Sequence, residues 1–169
     1  MNKALAALLM VLIASCSAPE TPQQGNTVTA LNKSEYAGRW VVINYWAKWC
    51  KPCIKEIPEL NALDQKYKQV AVLGVNYDGN EDDELQTQII ALEIEFPTLL
   101  EDPSSALGIS LPSVLPTTLI LNPDGSLVAT LVGPQTLESL ALATGQIGMP
   151  ATESTSGDAL DREPQSHQP

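Results

Sequence analysis

Val41-Val42-Ile43-Asn44-Tyr45-Trp46-Ala47-Lys48-Trp49-Cys50-Lys51-Pro52-Cys53 changes character halfway along. Its first half is β-branched and aromatic, the composition of a buried strand. Its second half sets two thiols three positions apart, where a helix is predicted to begin. Pro52 suits a first helical turn, because its missing N–H costs nothing there and its ring presets the helical φ. A sulfur at a helix N-terminus faces unpaired backbone N–H groups and the positive end of the peptide dipoles, so the thiolate is favoured. Lys48 and Lys51 add positive charge nearby. Cysteines at this spacing can also close a small disulfide with little backbone movement. The stretch predicts a redox dithiol, with Cys50 as the exposed nucleophile and Cys53 as its partner.

Two other readings of the pair carry less. A Cys-x-x-Cys can be half of a structural zinc site, but zinc takes four protein ligands in such sites. The chain has three cysteines and one histidine, and that histidine, His167, sits in a polar tail. Two inert buried cysteines would leave the Trp-Cys-x-Pro-Cys setting unexplained. No metal is expected, and no cofactor other than the redox disulfide Cys50–Cys53.

At 169 residues the chain has room for one domain with its own hydrophobic core, so it does not need disulfides as staples. Its 20 acidic against 9 basic side chains argue against a nucleic-acid surface. The start reads as an address. Asn2 and Lys3 precede an apolar run from Ala4 to Ala14, shorter than the about 20 residues a spanning helix needs. The run ends in Ile13-Ala14-Ser15-Cys16, which resembles a bacterial lipobox. Residues 1–15 would then be removed as a lipoprotein signal and Cys16 acylated. Each buried methylene contributes about 0.8 kcal/mol, so several acyl chains make a stable anchor. The alternative is an ordinary signal peptide cut near Ala18, which would discard Cys16. With lipid on Cys16, the other two cysteines remain as a pair in the periplasm or at the cell exterior, where disulfides matter. Ser17 stands where an Asp would resemble an inner-membrane retention signal, which leans toward the outer membrane if there are two.

Residues 16–30 are rich in Pro, Gln, Thr and Gly and read as a flexible tether. Leu31 to Arg39 carries Tyr36 and a turn at Gly38. After Cys53, the residues Ile54, Ile57, Leu60, Leu63 and Tyr67 are spaced to line one helix face, with Pro58 predicted to kink that helix. Val70 to Tyr77 is a strand buried on both faces, so strand, helix and strand form a right-handed parallel crossover. Asn80-Glu81-Asp82-Asp83-Glu84 supplies a cap and an acidic first turn for a helix bearing Leu85, Ile89 and Leu92. A calcium loop would need Gly where Asp83 stands. Phe96 to Leu100 reads as a short strand and Asp102 to Leu107 as a brief helix. Thr117 to Leu121 and Ser126 to Val132 form a hairpin about Asn122-Pro123-Asp124-Gly125. A last helix begins near Gln135, with Leu137, Leu140, Ala141 and Thr144 on one face. Residues 148–169 read as a disordered acidic tail.

Two stretches carry a family resemblance: Asn44 to Pro58, with Cys-Lys-Pro-Cys and Glu56 three residues beyond, and Leu115-Pro116-Thr117-Thr118-Leu119-Ile120. They are similar to the exported TlpA/ResA-type branch of thioredoxin-like proteins, over residues 31–147. The segment from Asn80 to Ile109 resembles that branch's insertion. The resemblance implies an α/β thioredoxin-like fold, a mixed central sheet flanked by helices. It implies a cis bond before Pro116, facing the dithiol, and a substrate segment pairing with the backbone at Leu115. Glu56 then takes the proton of Cys53, since Asn44 fills the position of the thioredoxin-type buried Asp. Trp46, Trp49, Leu115 and Pro116 form an apolar rim that receives the substrate. Three departures stand out: the hairpin before the first core strand is short or missing, Val114 replaces a common Gly, and the acidic tail is extra.

What the resemblance implies is a lipid-anchored thiol-disulfide oxidoreductase acting on exported protein disulfides, as a monomer, recharged by a membrane electron donor. Lys-Pro between the thiols resembles reducing members, for example those of cytochrome c maturation. Strong oxidants often carry a His there. A dithiol oxidant is the nearest alternative. A copper chaperone of related fold would use a longer cysteine spacing and a histidine within the domain, and residues 31–147 contain none. Peroxidase chemistry is disfavoured, because the Pro-and-Thr setting upstream of a peroxidatic cysteine is absent.

Overall fold

The computed structural model describes residues 27–148. The expected signal segment, Cys16 and the expected tail over residues 149–169 lie outside them. Among the described residues, six strands form one sheet in the order β1-β4-β3-β2-β5-β6. In chain order these are β1 (Thr27–Val28), β2 (Trp40–Trp46), α1 (Lys51–Lys66), β3 (Val70–Asn76), α2 (Asp82–Ala91), β4 (Thr98–Leu99), β5 (Thr117–Leu121), β6 (Leu127–Val132) and α3 (Leu137–Ala143).

β2 is central, and its alternation explains its position. Val42 and Trp46 enter the cluster with Ile57, Leu60 and Leu63 of α1 and Leu140 of α3. Val41, Ile43 and Tyr45 enter the opposite cluster, with Tyr36, Leu73, Leu99 and Leu119. With both faces covered, the strand is apolar along nearly its whole length. β2 runs parallel to β3, pairing Val42 with Val72 and Asn44 with Gly74, and antiparallel to β5, pairing Asn44 with Thr118. β2 and β3 are parallel neighbours with α1 between them in the chain, as expected.

α1 continues through Pro58, which sits on its exposed side, so the missing N–H falls where water can reach the helix. The buried stripe is Cys53, Glu56, Ile57, Leu60 and Leu63 rather than one beginning at Ile54. α2 starts at an N-cap Glu81 with no side-chain cap bond. Asn80, expected to cap it, instead accepts a hydrogen bond from Gln88 Nε2 at 3.1 Å. The expected strand from Phe96 to Leu100 shrinks to two residues: Pro97 has no N–H to give, though its carbonyl accepts from Gly74 at 2.8 Å. The expected helix from Asp102 is a single turn, closed by Leu107 N–H on Pro103 O at 3.0 Å and stopped by Gly108 at φ +70°. The expected tether gives up Thr27 and Val28, which add a parallel strand to the edge at β4. Leu100 N–H donates to Val28 O at 2.9 Å and extends that pairing.

Tyr45 ties the centre of the sheet to the segment after β4. It is fully buried, and its hydroxyl donates to Asp102 Oδ1 at 2.7 Å. Burial first, and then the carboxylate of Asp102, push the phenol well above its usual range. Asp102 also accepts from the N–H and hydroxyl of Ser104, so one acid organises the turn. Tyr45→Phe is expected to cost about 1–2 kcal/mol, read as a lower urea midpoint.

Candidate active site

The paired sulfurs sit where β2 hands over to α1. Cys50 is the N-cap of the helix, and its Sγ accepts the Cys53 N–H at 3.2 Å. Its own N–H donates to Ala47 O at 3.0 Å, which holds the approach to the helix in a tight turn. The sulfurs are joined, with 5.3 Å between Cα atoms. An N–H already aimed at Cys50 Sγ would stabilise negative charge there once the disulfide is reduced. In the oxidised form Cys50 keeps 4% of its surface and Cys53 none. The nucleophile expected to be exposed is thus mostly covered, because the N-cap position turns its sulfur inward over the first turn. It remains the more accessible of the two.

Lys48 and Trp49 are both held by acids of the β3–α2 region. Lys48 Nζ lies 3.0 Å from Glu84 Oε1, between two exposed side chains. Lys48 is thereby turned toward α2, and the positive influence the structure places at Cys50 Sγ is the helix terminus. The indole N–H of Trp49 donates to both oxygens of Asp78, at 3.0 and 3.1 Å. These contacts engage Asp78 and Glu84, two of the acids a calcium loop across this segment would have used. Among the described residues no group of three or more His, Cys, Asp or Glu side chains could hold a metal.

The rim needs one correction. Trp49 is 59% exposed, but Trp46 is fully buried, in the cluster that also contains Cys50 and Cys53. Trp46 belongs to the strand rather than to the loop after it, and the period of β2 turns it under α1. It supports the sulfurs from below and cannot touch a substrate. Leu115 is half-buried and packs against both core clusters, and Pro116 is buried. The bond between them is cis. Thr117 pairs with Tyr45, so Leu115 and Pro116 enter the sheet at the end where the chain leaves β2 for Cys50. The exposed apolar surface at this loop is Val114, 52% accessible, together with Leu111.

Glu56 lies one turn beyond Cys53 on the buried face of α1 and is 1% exposed. Its Oε1 accepts from Asn44 Nδ2, and its Oε2 accepts from the Gln135 N–H at 2.8 Å. Burial pushes its proton affinity up to a pKa of about 7, against the partial opposition of the Gln135 and Asn44 hydrogen bonds. One turn further along, Glu59 Oε2 accepts from Leu137 N–H at 2.8 Å. Two acids of α1 thereby fasten the start of α3. Asn44 was legible as the occupant of a buried acid's place but not as a partner of Glu56. Gln135 was not legible at all, because a backbone N–H carries no side-chain signature.

A parallel β2–α1–β3 unit, continued by the β5–β6 hairpin and α3, with paired sulfurs at the head of α1, makes this a thioredoxin-like domain. The chain belongs to the AhpC/TSA family, which it matches over residues 14–130. Among characterised proteins it is similar to the thiol-disulfide oxidoreductase ResA of Bacillus cereus, 33% identical over 104 residues. That match covers 61% of this chain and 60% of ResA, so the chain spans about three fifths of that relative's length. The thioredoxin-like protein YneN of Bacillus subtilis is 33% identical over 106 residues, covering 61% of this chain and 62% of YneN. The crystal structure of StoA from Bacillus subtilis superposes with a TM-score of 0.51 at 26% identity, over 62% of this chain and 81% of StoA.

Proposed function

We propose that the chain is a thiol-disulfide oxidoreductase that reduces disulfides in exported proteins. The observation that carries this is the placement of Glu56. A buried carboxyl with a pKa of about 7 stands one helical turn from the buried member of the sulfur pair. In the reduced form the Cys50 thiolate attacks a substrate disulfide. One substrate sulfur leaves as thiolate and takes a proton from water, and a mixed disulfide to Cys50 remains. Cys53 passes its proton to Glu56 and attacks Cys50 Sγ, which restores the Cys50–Cys53 disulfide and releases the second substrate thiolate. Two electrons pass from the dithiol to the substrate. A membrane electron donor returns them and re-forms the dithiol.

Trp49, Val114 and the Leu115–Pro116 loop form the apolar surface that meets the substrate, with Leu115 offering backbone to an extended segment. Lipid on Cys16 would tether the domain at the membrane on the extracytoplasmic side, and Ser17 in place of a retention Asp points to the outer membrane where there are two. Substrates of this kind include an apocytochrome disulfide, whose thiols must be released before haem attachment. The similarity to ResA supports the activity. Among the described residues no helix is long and apolar enough to cross a membrane.

The test is capture. Cys53→Ser should accumulate mixed disulfides on Cys50 in cells, identifiable by mass spectrometry, and the Cys50→Ser/Cys53→Ser double variant should show none. In the purified reduced protein, one sulfur should alkylate with a midpoint well below the about 8.5 of free cysteine. Two sulfurs that both behave as free cysteine, with no trapped partner, would sink the reading.

A further inference from the structure

Gly74, Asn44 and Thr118 stand in register across β3, β2 and β5. Asn44 and Thr118 are fully buried, on the face covered by α1. The two hydrogens of the Asn44 amide go in two directions. Nδ2 donates to Oε1 of Glu56 and, at 3.0 Å, to Oγ1 of Thr118. Its Oδ1 is buried with no hydrogen-bond partner among the described residues. An amide that gives away both hydrogens while its own acceptor stays unpaired is oriented by what it donates to. Turned the other way, Oδ1 would face a carboxylate oxygen to oxygen.

That preference is strongest while Glu56 is ionised. A protonated Glu56 has an O–H to give, and so does Thr118. With the amide reversed, Oδ1 could accept from either. Each charge state of the acid thus has an arrangement that pairs Glu56 and Thr118 with Asn44, at the cost of an unpaired amide group on the far side of Asn44. The other donor to Glu56, the Gln135 N–H, belongs to the backbone. Asn44 is thus the only side chain among the described residues shown donating to it. The nearby charged groups do not compete: Glu59 is turned to the Leu137 N–H, and Lys55 and Glu138 are exposed. None of them contributes to the altered proton affinity of Glu56.

We propose that Asn44, locked by Thr118, is a positioning residue that decides whether Glu56 holds a proton, and that its amide reverses as the proton arrives. The buried acid could then load and unload beside Cys53 without backbone movement. The catalytic use of this device rests on the dithiol reading above, but its existence does not.

The experiment follows the Glu56 carboxyl carbon and the Asn44 side-chain nitrogen by NMR through a pH titration of the oxidised full chain, with no substrate or reductant. In the wild type both signals should move with one shared midpoint. Asn44→Ala should raise the Glu56 midpoint by about one unit, a tenfold change in proton affinity. Thr118→Val keeps the shape, removes the lock and should raise the midpoint by less, and Thr118→Ser should restore the wild-type value. If Asn44→Ala does not fold, the Thr118 pair decides. A Glu56 midpoint unmoved in Thr118→Val, or an Asn44 signal indifferent to pH, would overturn the assignment. An inert dithiol would leave these shifts in place. A working dithiol with unmoved midpoints would defeat the role of Asn44 alone.

Discussion

Glu56→Gln is expected to remove a loss of stability that the wild-type chain shows as pH rises from about 4.5 to about 7. The sign follows from which state holds the proton. Folded Glu56 keeps its proton up to a pKa of about 7, and the unfolded chain gives it up near the ordinary value of 4.5. Between those limits folding takes up a proton, so folding weakens as protons become scarce. The loss is complete once pH passes the folded value. At 1.36 kcal/mol per unit the wild type should lose roughly 3 kcal/mol across the window. Glutamine cannot ionise, so the variant should stay flat there. It carries its own penalty, because its amide cannot satisfy both the Asn44 and Gln135 donors without leaving a hydrogen-bonding group unmatched. That should cost about 1–2 kcal/mol at low pH. The two stability curves should therefore converge or cross as pH rises. Urea midpoints of the oxidised proteins measured across the window check this, and a wild-type stability that rises there would refute it. If the proposed chemistry holds, the same variant should slow resolution of the mixed disulfide about 100-fold.

Gly74→Ala is expected to destabilise the fold by about 2–3 kcal/mol, without any change in backbone preference to blame. Gly74 has no positive φ, and its reason for being glycine is space. A Cβ there would meet Trp46 Nε1 at 2.8 Å, Thr98 Oγ1 at 3.0 Å and Phe96 Cε2 at 3.1 Å. Trp46 and Phe96 are fully buried and closely packed, so neither can swing away without opening the core beneath the sulfurs. Denaturant unfolding at fixed pH measures the cost. A change under about 0.5 kcal/mol would mean that the indole yields more easily than close packing allows.

β2 and β3 were legible because seven-residue apolar runs buried on two faces look like little else. The head of α1 was legible because cysteine is rare in the chain and proline has narrow uses at a helix start. Trp46 was misplaced onto the surface because residue type says that a side chain is large and apolar, not which side of the sheet it meets. β1 escaped notice because two residues in a polar stretch carry no period. Their place depends on a partner strand that is itself only two residues long. The proton network was half legible. Glu56 stood out by its spacing from Cys53, but its two donors come from a strand before the helix and a loop after the hairpin. Only the folded sheet brings those together.

The grip of Glu56 and Glu59 on the residues before and at the start of α3 sets a limit on how far the domain can be trimmed. A chain cut after the hairpin would keep every strand and both sulfurs, yet it would leave two acids of α1 without their backbone donors. It would also uncover the apolar floor that Leu140 seals. Such a fragment could hold its disulfide and still mishandle protons, so the smallest faithful version of this domain has to reach Thr144.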